Sequence, residues 1–172
     1  MRRIILFAVL LWLVGCARGP ANNNQPPASG SVEPPKVTST GVVKVSIEPV
    51  ELKRGGSVDA SVILKIDKGY HINANPASDP YLRATELKLA PLEGITVNFL
   101  TYPNALTRTF SFSEKPLAVY EDQALIKVQF AGLKTAPTGT HNITGKLNVQ
   151  ACDEQVCYAP GTIDVTIPVN TK

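Results

Sequence analysis

The sequence predicts an all-β domain, folded as an antiparallel sandwich, on three observations. Apolar and polar residues alternate with a period of two over most of the chain after residue 41. Residues typical of turns separate these stretches at short intervals. No segment has a clear amphipathic helical pattern, and Pro76, Pro80 and Pro91 interrupt the long candidates. About eight short strands with such turns are typical of an immunoglobulin-like sandwich, and a barrel is the alternative.

The strands are predicted one after another along the chain. In the first, Val43, Val45 and Ile47 alternate with polar residues, which is the pattern of a strand with one buried face. Later stretches repeat this pattern or are continuously apolar. The predicted strands cover 43–47, 58–66, 87–89, 95–97, 125–130, 143–149 and 163–169, with turns at 54–56, 67–69, 92–94 and 137–139.

Two segments do not fit a plain sandwich. Residues 69–80 begin like a strand and then become polar and proline-rich. Residues 107–116 look like a loop, yet they carry Phe110 and Phe112 among small polar residues. Apolar rings on a loop need a cover, so we expect them either to fold back onto the core or to cover a site.

The N-terminus predicts export and lipidation. A basic start, Met1-Arg2-Arg3, precedes an apolar run at 4–14 that is too short to span a bilayer and suits a signal peptide. The run ends in Leu13-Val14-Gly15-Cys16, which resembles the bacterial lipobox. That resemblance implies a lipoprotein signal peptide at 1–15, cleavage before Cys16 and a lipid on its thiol, which would anchor the protein to a membrane. An ordinary signal peptide with an incidental cysteine is the alternative.

The rest of the chain divides into a tether and a domain. Residues 16–40 hold the lipidated cysteine followed by Pro, Asn, Ser and Gly, a composition typical of a disordered linker. Residues 41–172 are about the length of one domain. The chain has 17 basic and 14 acidic residues, and without Arg2 and Arg3 the two nearly balance. We therefore expect no nucleic-acid partner. The export and lipidation signals at the N-terminus place the domain in the cell envelope, facing the periplasm.

The cysteine pair is the strongest chemical signal in the chain. Of three cysteines, Cys16 belongs to the lipobox, which leaves Cys152 and Cys157 close together near the C-terminus. Exported proteins keep disulfides. A bond that closes so small a loop stabilises a fold by only about 2 kcal/mol, and a domain of this size builds its own core. The pair is either a small staple or a redox centre, and composition alone leaves both open.

The neighbours of the two cysteines distinguish them. Asp153 and Glu154 follow Cys152, and nearby carboxylates raise the pKa of a thiol. Cys157 lies between Val156 and Tyr158, and we expect Tyr158 to pack beside the disulfide. This predicts Cys157 as the sulfur that reacts with partners and Cys152 as the resolving thiol. No Cys-x-x-Cys opens a helix here, so the pair is expected to need a docked partner.

Several segments together resemble a known family, the N-terminal periplasmic domain of the thiol:disulfide interchange protein DsbD. The resemblance covers roughly residues 42–169, and the cysteine block is its most specific part. The segments that carry it are 69–76 (Gly-Tyr-His-Ile-Asn-Ala-Asn-Pro), Tyr102-Pro103, 116–120 (Pro-Leu-Ala-Val-Tyr), 145–152 (Gly-Lys-Leu-Asn-Val-Gln-Ala-Cys) and 156–160 (Val-Cys-Tyr-Ala-Pro).

The resemblance implies an immunoglobulin-like fold with a redox pair at Cys152 and Cys157. In that family the pair takes electrons from a thioredoxin-like domain, fed by a membrane thiol transporter, and passes them to exported disulfide proteins, including disulfide isomerases and cytochrome c maturation factors. The second cysteine usually forms the mixed disulfide. A loop with an aromatic tip shields the pair, and here Phe112 is the best match and Phe110 the second. Site-lining residues of a neighbouring strand fall at His71 and Asn73.

The chain departs from the full-length proteins of that family, and other readings stay open. It carries no transmembrane block and no thioredoxin-like domain, so we expect other polypeptides to supply them. The segment between its cysteines is one residue shorter than in the best-known member. We expect a protein-disulfide reductase type of activity with no bound cofactor and no metal.

A passive binding lipoprotein with a structural disulfide is one alternative. A copper or zinc chaperone using Cys152, Cys157 and His71 is another, although that zinc ligand set is incomplete.

Overall fold

A computed structural model of the chain describes residues 36–90 and 92–172. The predicted signal peptide at 1–15, the predicted lipidation of Cys16 and most of the predicted tether lie outside the described residues. Among the residues that are described, no helix has the length and apolar character needed to cross a membrane.

The described residues form twelve β-strands. They include every strand expected from the alternating pattern, together with short strands that the pattern does not show. Their bounds are β1 Val43–Ile47, β2 Val50–Leu52, β3 Ser57–Ile66, β4 His71–Asn73, β5 Glu86–Leu89, β6 Ile95–Thr101, β7 Leu106–Arg108, β8 Leu117–Tyr120, β9 Gln123–Gly132, β10 Gly139–Val149, β11 Ala151–Cys152 and β12 Gly161–Thr171.

Two four-stranded sheets form the sandwich. One has the strand order β1-β3-β9-β6 and the other β2-β12-β10-β5. The pairing of β2 with β12 is parallel, and the other pairings in these two sheets are antiparallel. The prediction of an all-β, immunoglobulin-like sandwich is therefore confirmed.

The core of the sandwich follows directly from the period-two pattern. In β3, Val62 and Leu64 point inward and are fully buried, and they lie opposite Ile126 and Ala124 of β9. Leu147 of β10 meets them from the other sheet in one hydrophobic cluster. Each fully buried aliphatic side chain contributes about 1.5–3 kcal/mol relative to an exposed one. Alternation along a strand puts all of these residues on the same face, so the sequence pattern sets which face is buried.

All four predicted turns contain a glycine with a positive φ, at Gly55, Gly69, Gly94 and Gly139. Gly94 shows the steric reason most clearly. A Cβ at this position would lie 2.8 Å from the Cα of Ala136, in addition to the unfavourable φ of 77°. The turn that leads into β6 therefore requires glycine.

A third, smaller sheet has the order β11-β4-β8-β7. It draws two of its strands from the segments that do not fit a plain sandwich, since β4 lies in the first and β7 overlaps the start of the second. Phe110, Leu117 and Val119 form a separate buried cluster under this sheet. Phe110 therefore folds back onto buried residues, which is one of the two alternatives expected for the aromatic rings of this loop.

The segment before β1 packs against the cysteine region. Ser39 is buried; its hydroxyl donates to the carbonyl of Ala159 (2.7 Å) and accepts from the backbone N–H of Ala151 (2.9 Å). A Cβ on Gly161 would meet the side chain of Thr40. The folded unit therefore includes Ser39 and Thr40, which lie at the end of the segment expected to be the tether. Their hydrogen bonding and close packing hold them on the domain, which composition does not reveal.

Candidate redox site

Cys152 and Cys157 form a disulfide bond. Cys152 ends β11, and the two cysteines also face each other in an antiparallel β-bridge. The backbone N–H of Tyr158 donates to the carbonyl of Ala151 (2.8 Å), which continues this pairing beyond the cysteines. The disulfide thus links the two arms of a small hairpin at the edge of the third sheet.

Asp153 organises the loop between the cysteines. One carboxylate oxygen, Oδ1, accepts from the backbone N–H groups of Gln155 (2.8 Å) and Val156 (2.9 Å), and the other accepts from the hydroxyl of Tyr158. The hydrogen bond to Asp153 raises the pKa of Tyr158 to about 12, and the same bond, with those from the backbone, lowers the pKa of Asp153. The carboxylate predicted to act on a thiol is thus an ionised cap that holds the loop in shape.

The two sulfur-bearing residues differ in exposure. Cys152 is fully buried, with 0% of its surface accessible, whereas Cys157 is half-buried. Val156, just before Cys157, is exposed. An incoming thiolate has a path to Cys157 and none to Cys152, so accessibility favours the same sulfur that the charge argument favours.

Cys157 lies in the wall of an open cavity of about 490 Å³. The loop 78–82 forms one side and the loop 112–117 the other. Tyr81, which is 91% exposed, and Phe112 both line it, and sequence reasoning did not single out Tyr81. Nothing in the sequence around Tyr81 signals this position, because the loop reaches the cysteine only through the tertiary fold.

The two phenylalanines predicted to shield the disulfide occupy different places. Phe110 is 5% exposed and stacks on the ring of His71, with ring centroids 4.1 Å apart. Phe112 is 37% exposed, stacks on the outer side of Phe110 at 5.3 Å, and lines the cavity with Cys157. The hydroxyl of Ser111 donates to the carbonyl of Glu154 (3.1 Å), which ties this loop to the cysteine loop. Three rings therefore form one stack beside the disulfide.

His71 is brought next to the cysteines by strand pairing. It lies directly opposite Cys152 in the antiparallel register of β4 and β11. Only 2% of its surface is accessible, and no described residue hydrogen-bonds its Nε2 atom. Burial lowers the pKa of His71, while the carboxylates of Glu121, Glu154 and Asp153 act in the opposite direction.

Asn73 has a different surrounding. Its Nδ2 donates to the carbonyl of Arg83 (3.2 Å) and to the side-chain oxygen of Gln150 (3.0 Å). Gln150 in turn donates to the carbonyl of Tyr158 (3.2 Å). Asn73 therefore holds the segment that leads into Cys152 through its contact with Gln150. Gln150 belongs to the segment 145–152 that resembles the family, but the sequence did not predict it as a site residue.

A charged pair borders the site. Arg108 donates two hydrogen bonds to the carboxylate of Glu121, at 2.9 and 2.7 Å. The hydrogen bond from Arg108 lowers the pKa of Glu121, so this carboxylate is ionised beside His71. In the described part of the chain, no three His, Cys, Asp or Glu residues come together in a group that would hold a metal ion.

Known proteins resemble this chain in sequence and in fold. The family model described as thiol:disulfide interchange protein DsbD, N-terminal, matches residues 42–168. No curated protein matches the chain. The reduced N-terminal domain of DsbD from Neisseria meningitidis is 17% identical, with a TM-score of 0.51, over 78% of this chain and 90% of that one. The N-terminal periplasmic domain of ScsB from Proteus mirabilis is 11% identical, with a TM-score of 0.48, over 74% of this chain and 45% of that one.

The sequence match spans most of the chain and includes both cysteines, His71 and the loop with Phe110 and Phe112. The likeness to the solved Neisseria domain supports the fold independently. The resemblance predicted from the sequence is thereby confirmed, and the chain belongs to the DsbD N-terminal domain family.

Proposed function

We propose that this protein carries out thiol–disulfide exchange in the cell envelope through Cys152 and Cys157, passing reducing equivalents to exported proteins. One observation carries the proposal. Cys157 is reachable from an open cavity, while the sulfur bonded to it is fully buried. A staple has no need for such asymmetry, whereas an exchange reaction requires one sulfur that a partner reaches and one that it does not.

The chemistry starts with the disulfide. A thiolate of a reduced partner attacks Sγ of Cys157, the bond between the two cysteines breaks, and its electron pair leaves on Sγ of Cys152. A mixed disulfide now joins Cys157 to the partner. The second thiol of the partner attacks its own bonded sulfur and releases Cys157, so the partner is oxidised and this pair is reduced. The same steps in reverse reduce a downstream disulfide.

The partner docks at the cavity beside Cys157. Tyr81 and Phe112 line the cavity with exposed apolar surface, and Val156, the residue before Cys157, is exposed as well. Exposed apolar groups around a concave site are typical of places where another molecule binds. The chain next to the partner's cysteine has to pass over this surface, because the mixed disulfide fixes the partner's sulfur at Cys157.

The partners follow from the family. The donor is a thioredoxin-like domain or a membrane thiol transporter, and the acceptors are exported disulfide proteins. A lipid on Cys16, after removal of a signal peptide at 1–15, holds the domain at the membrane through the tether 16–40. These parts of the proposal are supported by the lipobox-like sequence and by family membership.

A redox titration tests the proposal. The full chain with Cys16→Ser, kept in mild detergent, is equilibrated at a series of redox poises, and free thiols are counted by alkylation and mass. We expect a midpoint well above about −300 mV, which marks an exchangeable pair. A midpoint far below that value would instead indicate a structural disulfide and a passive binding protein.

Trapping identifies the reacting sulfur. With Cys152→Ser, Cys157 is expected to hold envelope partners as mixed disulfides, because no resolving thiol remains. Cys157→Ser is the matched control and is expected to trap none, since Cys152 is buried. Equal trapping by both variants would contradict the assignment.

A further inference from the structure

We propose that His71 accepts the proton of the Cys152 thiol when that buried sulfur closes the disulfide, and returns it when the disulfide opens. This inference rests on the proposed exchange function and deepens it. The oxidation of a reduced pair needs a thiolate at Cys152, and His71 is the titratable group that the strand register places there.

Strand pairing aligns three side chains in a row. His71 faces Cys152 across the β4–β11 pairing, and Cys152 faces Cys157 across the adjoining bridge. Residues directly opposite in an antiparallel pair project to the same face, with Cβ atoms about 4.5–5.5 Å apart. The imidazole and the two sulfurs therefore occupy neighbouring positions on one face.

Water does not reach the inner part of this row. Cys152 is 0% exposed and His71 2% exposed, and the rings of Phe110 and Phe112 are stacked over the histidine. The nucleophile in exchange is the thiolate, and burial disfavours it. The thiol of Cys152 thus needs a proton acceptor inside the protein when it attacks.

His71 has a ring nitrogen free for this task. Its Nε2 is buried, and no described residue hydrogen-bonds it. Buried polar atoms in folded proteins are nearly always paired, so an unpaired one on the residue that faces Cys152 calls for an explanation. A lone pair that takes the proton of Cys152 supplies one.

The surrounding charges suit a proton acceptor. Glu121 follows β8, which pairs with β4 on the side away from Cys152, and Arg108 holds its carboxylate in place. Asp153 and Glu154 act on His71 from the cysteine loop. Burial outweighs these carboxylates and lowers the pKa of His71, which keeps the ring neutral and able to accept a proton at neutral pH. Once protonated, the ring is stabilised by the same carboxylates.

Cys157 is in a mixed disulfide with a partner, and Cys152 is a thiol. His71 takes the proton from Sγ of Cys152, whose electron pair attacks Sγ of Cys157. The bond between the cysteines forms, the bond from Cys157 to the partner breaks, and its electron pair leaves on the partner's sulfur. The proton passes from His71 to that sulfur, which departs as a thiol.

Attack by Cys157 and closure by Cys152 can be followed as two separate phases with dithiobis(nitrobenzoate). This probe is an aromatic disulfide whose released thiolate is coloured. The reduced full chain with Cys16→Ser is mixed with this probe in a stopped-flow instrument across a range of pH. The first thiolate reports attack by Cys157 and the second reports closure by Cys152. We expect the wild-type second phase to be independent of pH above the pKa of His71.

The variant His71→Phe keeps an aromatic ring to stack on Phe110 but has no nitrogen. We expect its second phase to slow roughly 10²-fold at neutral pH and to gain about tenfold for each pH unit, as the thiolate of Cys152 then forms without help. The first phase serves as the internal control. A second phase with the wild-type rate and pH profile in this variant would overturn the inference and leave the proposed function standing.

A second variant leaves the stacked rings untouched. Glu121→Gln removes a carboxylate that raises the pKa of His71, so the midpoint of the second phase is expected to move to lower pH. Glu93→Gln, an exposed carboxylate on the turn before β6, is the matched control and is expected to leave the midpoint in place. An unmoved midpoint in Glu121→Gln would count against the inference. If the wild-type protein releases neither thiolate, the proposed function fails with it.

Discussion

In the two large sheets the longest strands reach 10 and 11 residues, whereas the strands of the small third sheet have between 2 and 4. The large sheets are held by continuous aliphatic burial, as in the fully buried Leu64 and Ile126. The small sheet also buries aliphatic side chains, such as Ile72 and Val119, but it adds polar and aromatic contacts, such as the bond from Asn73 to Gln150 and the stack of His71 on Phe110.

This difference separates stability from reactivity. Aliphatic burial is non-directional and scales with area, so the sandwich supplies most of the folding free energy. Hydrogen bonds and ring stacks fix particular atoms in particular places. The cysteine pair lies in the region of the second kind, and changes in the two regions are expected to have separable effects.

The largest expected effect comes from the reactive sulfur itself. Cys157→Ser should reduce exchange activity to background, because the remaining Cys152 is buried and cannot be attacked. Loss of the small-loop disulfide should lower the free energy of unfolding by only about 2 kcal/mol. Turnover with a reduced thioredoxin-type protein and urea unfolding measure the two quantities. A folded Cys157→Ser protein with substantial activity would contradict this prediction.

A substitution in the core of the sandwich should change stability and leave the redox chemistry unchanged. Leu64→Ala leaves a cavity in the main core, and we expect it to lower the free energy of unfolding by about 2–5 kcal/mol. Leu64 belongs to β3, which does not pair with the third sheet, so the midpoint potential of the disulfide should stay at its wild-type value. Urea unfolding measures the free energy and the redox titration measures the midpoint potential. A large change of potential in Leu64→Ala would show that the two regions are coupled.

Of the two stacked phenylalanines, Phe110 is expected to contribute mainly to stability and Phe112 mainly to shielding the disulfide. Phe110→Ala removes a buried ring and is expected to cost about 3 kcal/mol in the free energy of unfolding. Phe112→Ala removes a partly exposed ring, so its cost should be clearly smaller. Because Phe112 lines the cavity with Cys157, its loss should speed the reduction of the disulfide by glutathione severalfold. Unchanged reduction in Phe112→Ala would contradict its proposed role as a shield.

The smallest expected effect is the pH dependence contributed by Asp153. Its pKa in the folded protein is lowered from 3.8 by the bonds from Tyr158, Gln155 and Val156. A lowered pKa stabilises the fold above the unfolded value, and that contribution is lost as the pH falls through the folded value. Asp153→Asn should therefore lose less stability than the wild type between pH 3.8 and that lower value.

A local readout accompanies that measurement. In Asp153→Asn the pKa of Tyr158 should fall from about 12 toward its ordinary value of 10.0, because the carboxylate that raises it is gone. Absorbance of the tyrosinate during an alkaline titration measures this change. If the titration of Tyr158 is the same in the variant, the bond between Tyr158 and Asp153 does not exist in solution.

The sandwich was predictable and the third sheet was not, for a physical reason. Alternation needs several residues to show, and β3, β9, β10 and β12 provide them. Strand β4 has three residues, all buried, and β11 has two, so neither contains a readable period. Their pairing is a contact between residues distant in the chain, which local patterns do not encode.

The site divides in the same manner. Cys152 and Cys157 stood out because cysteines are few in the chain and an exported protein keeps such a pair oxidised. The parts played by Gln150 and Tyr81 depend on which loops meet at the cysteine hairpin. Residue type alone does not carry that information.

Local sequence patterns were enough to predict the alternating faces of the strands, the four glycine turns and the presence of one cysteine pair. These are properties of short stretches, set by side-chain polarity and backbone sterics. The burial of Cys152, the position of Cys157 at a cavity and the pairing of His71 with Cys152 emerge from the folded domain alone. Those facts depend on the register between strands far apart in the chain, and register is decided by the packing of the whole domain.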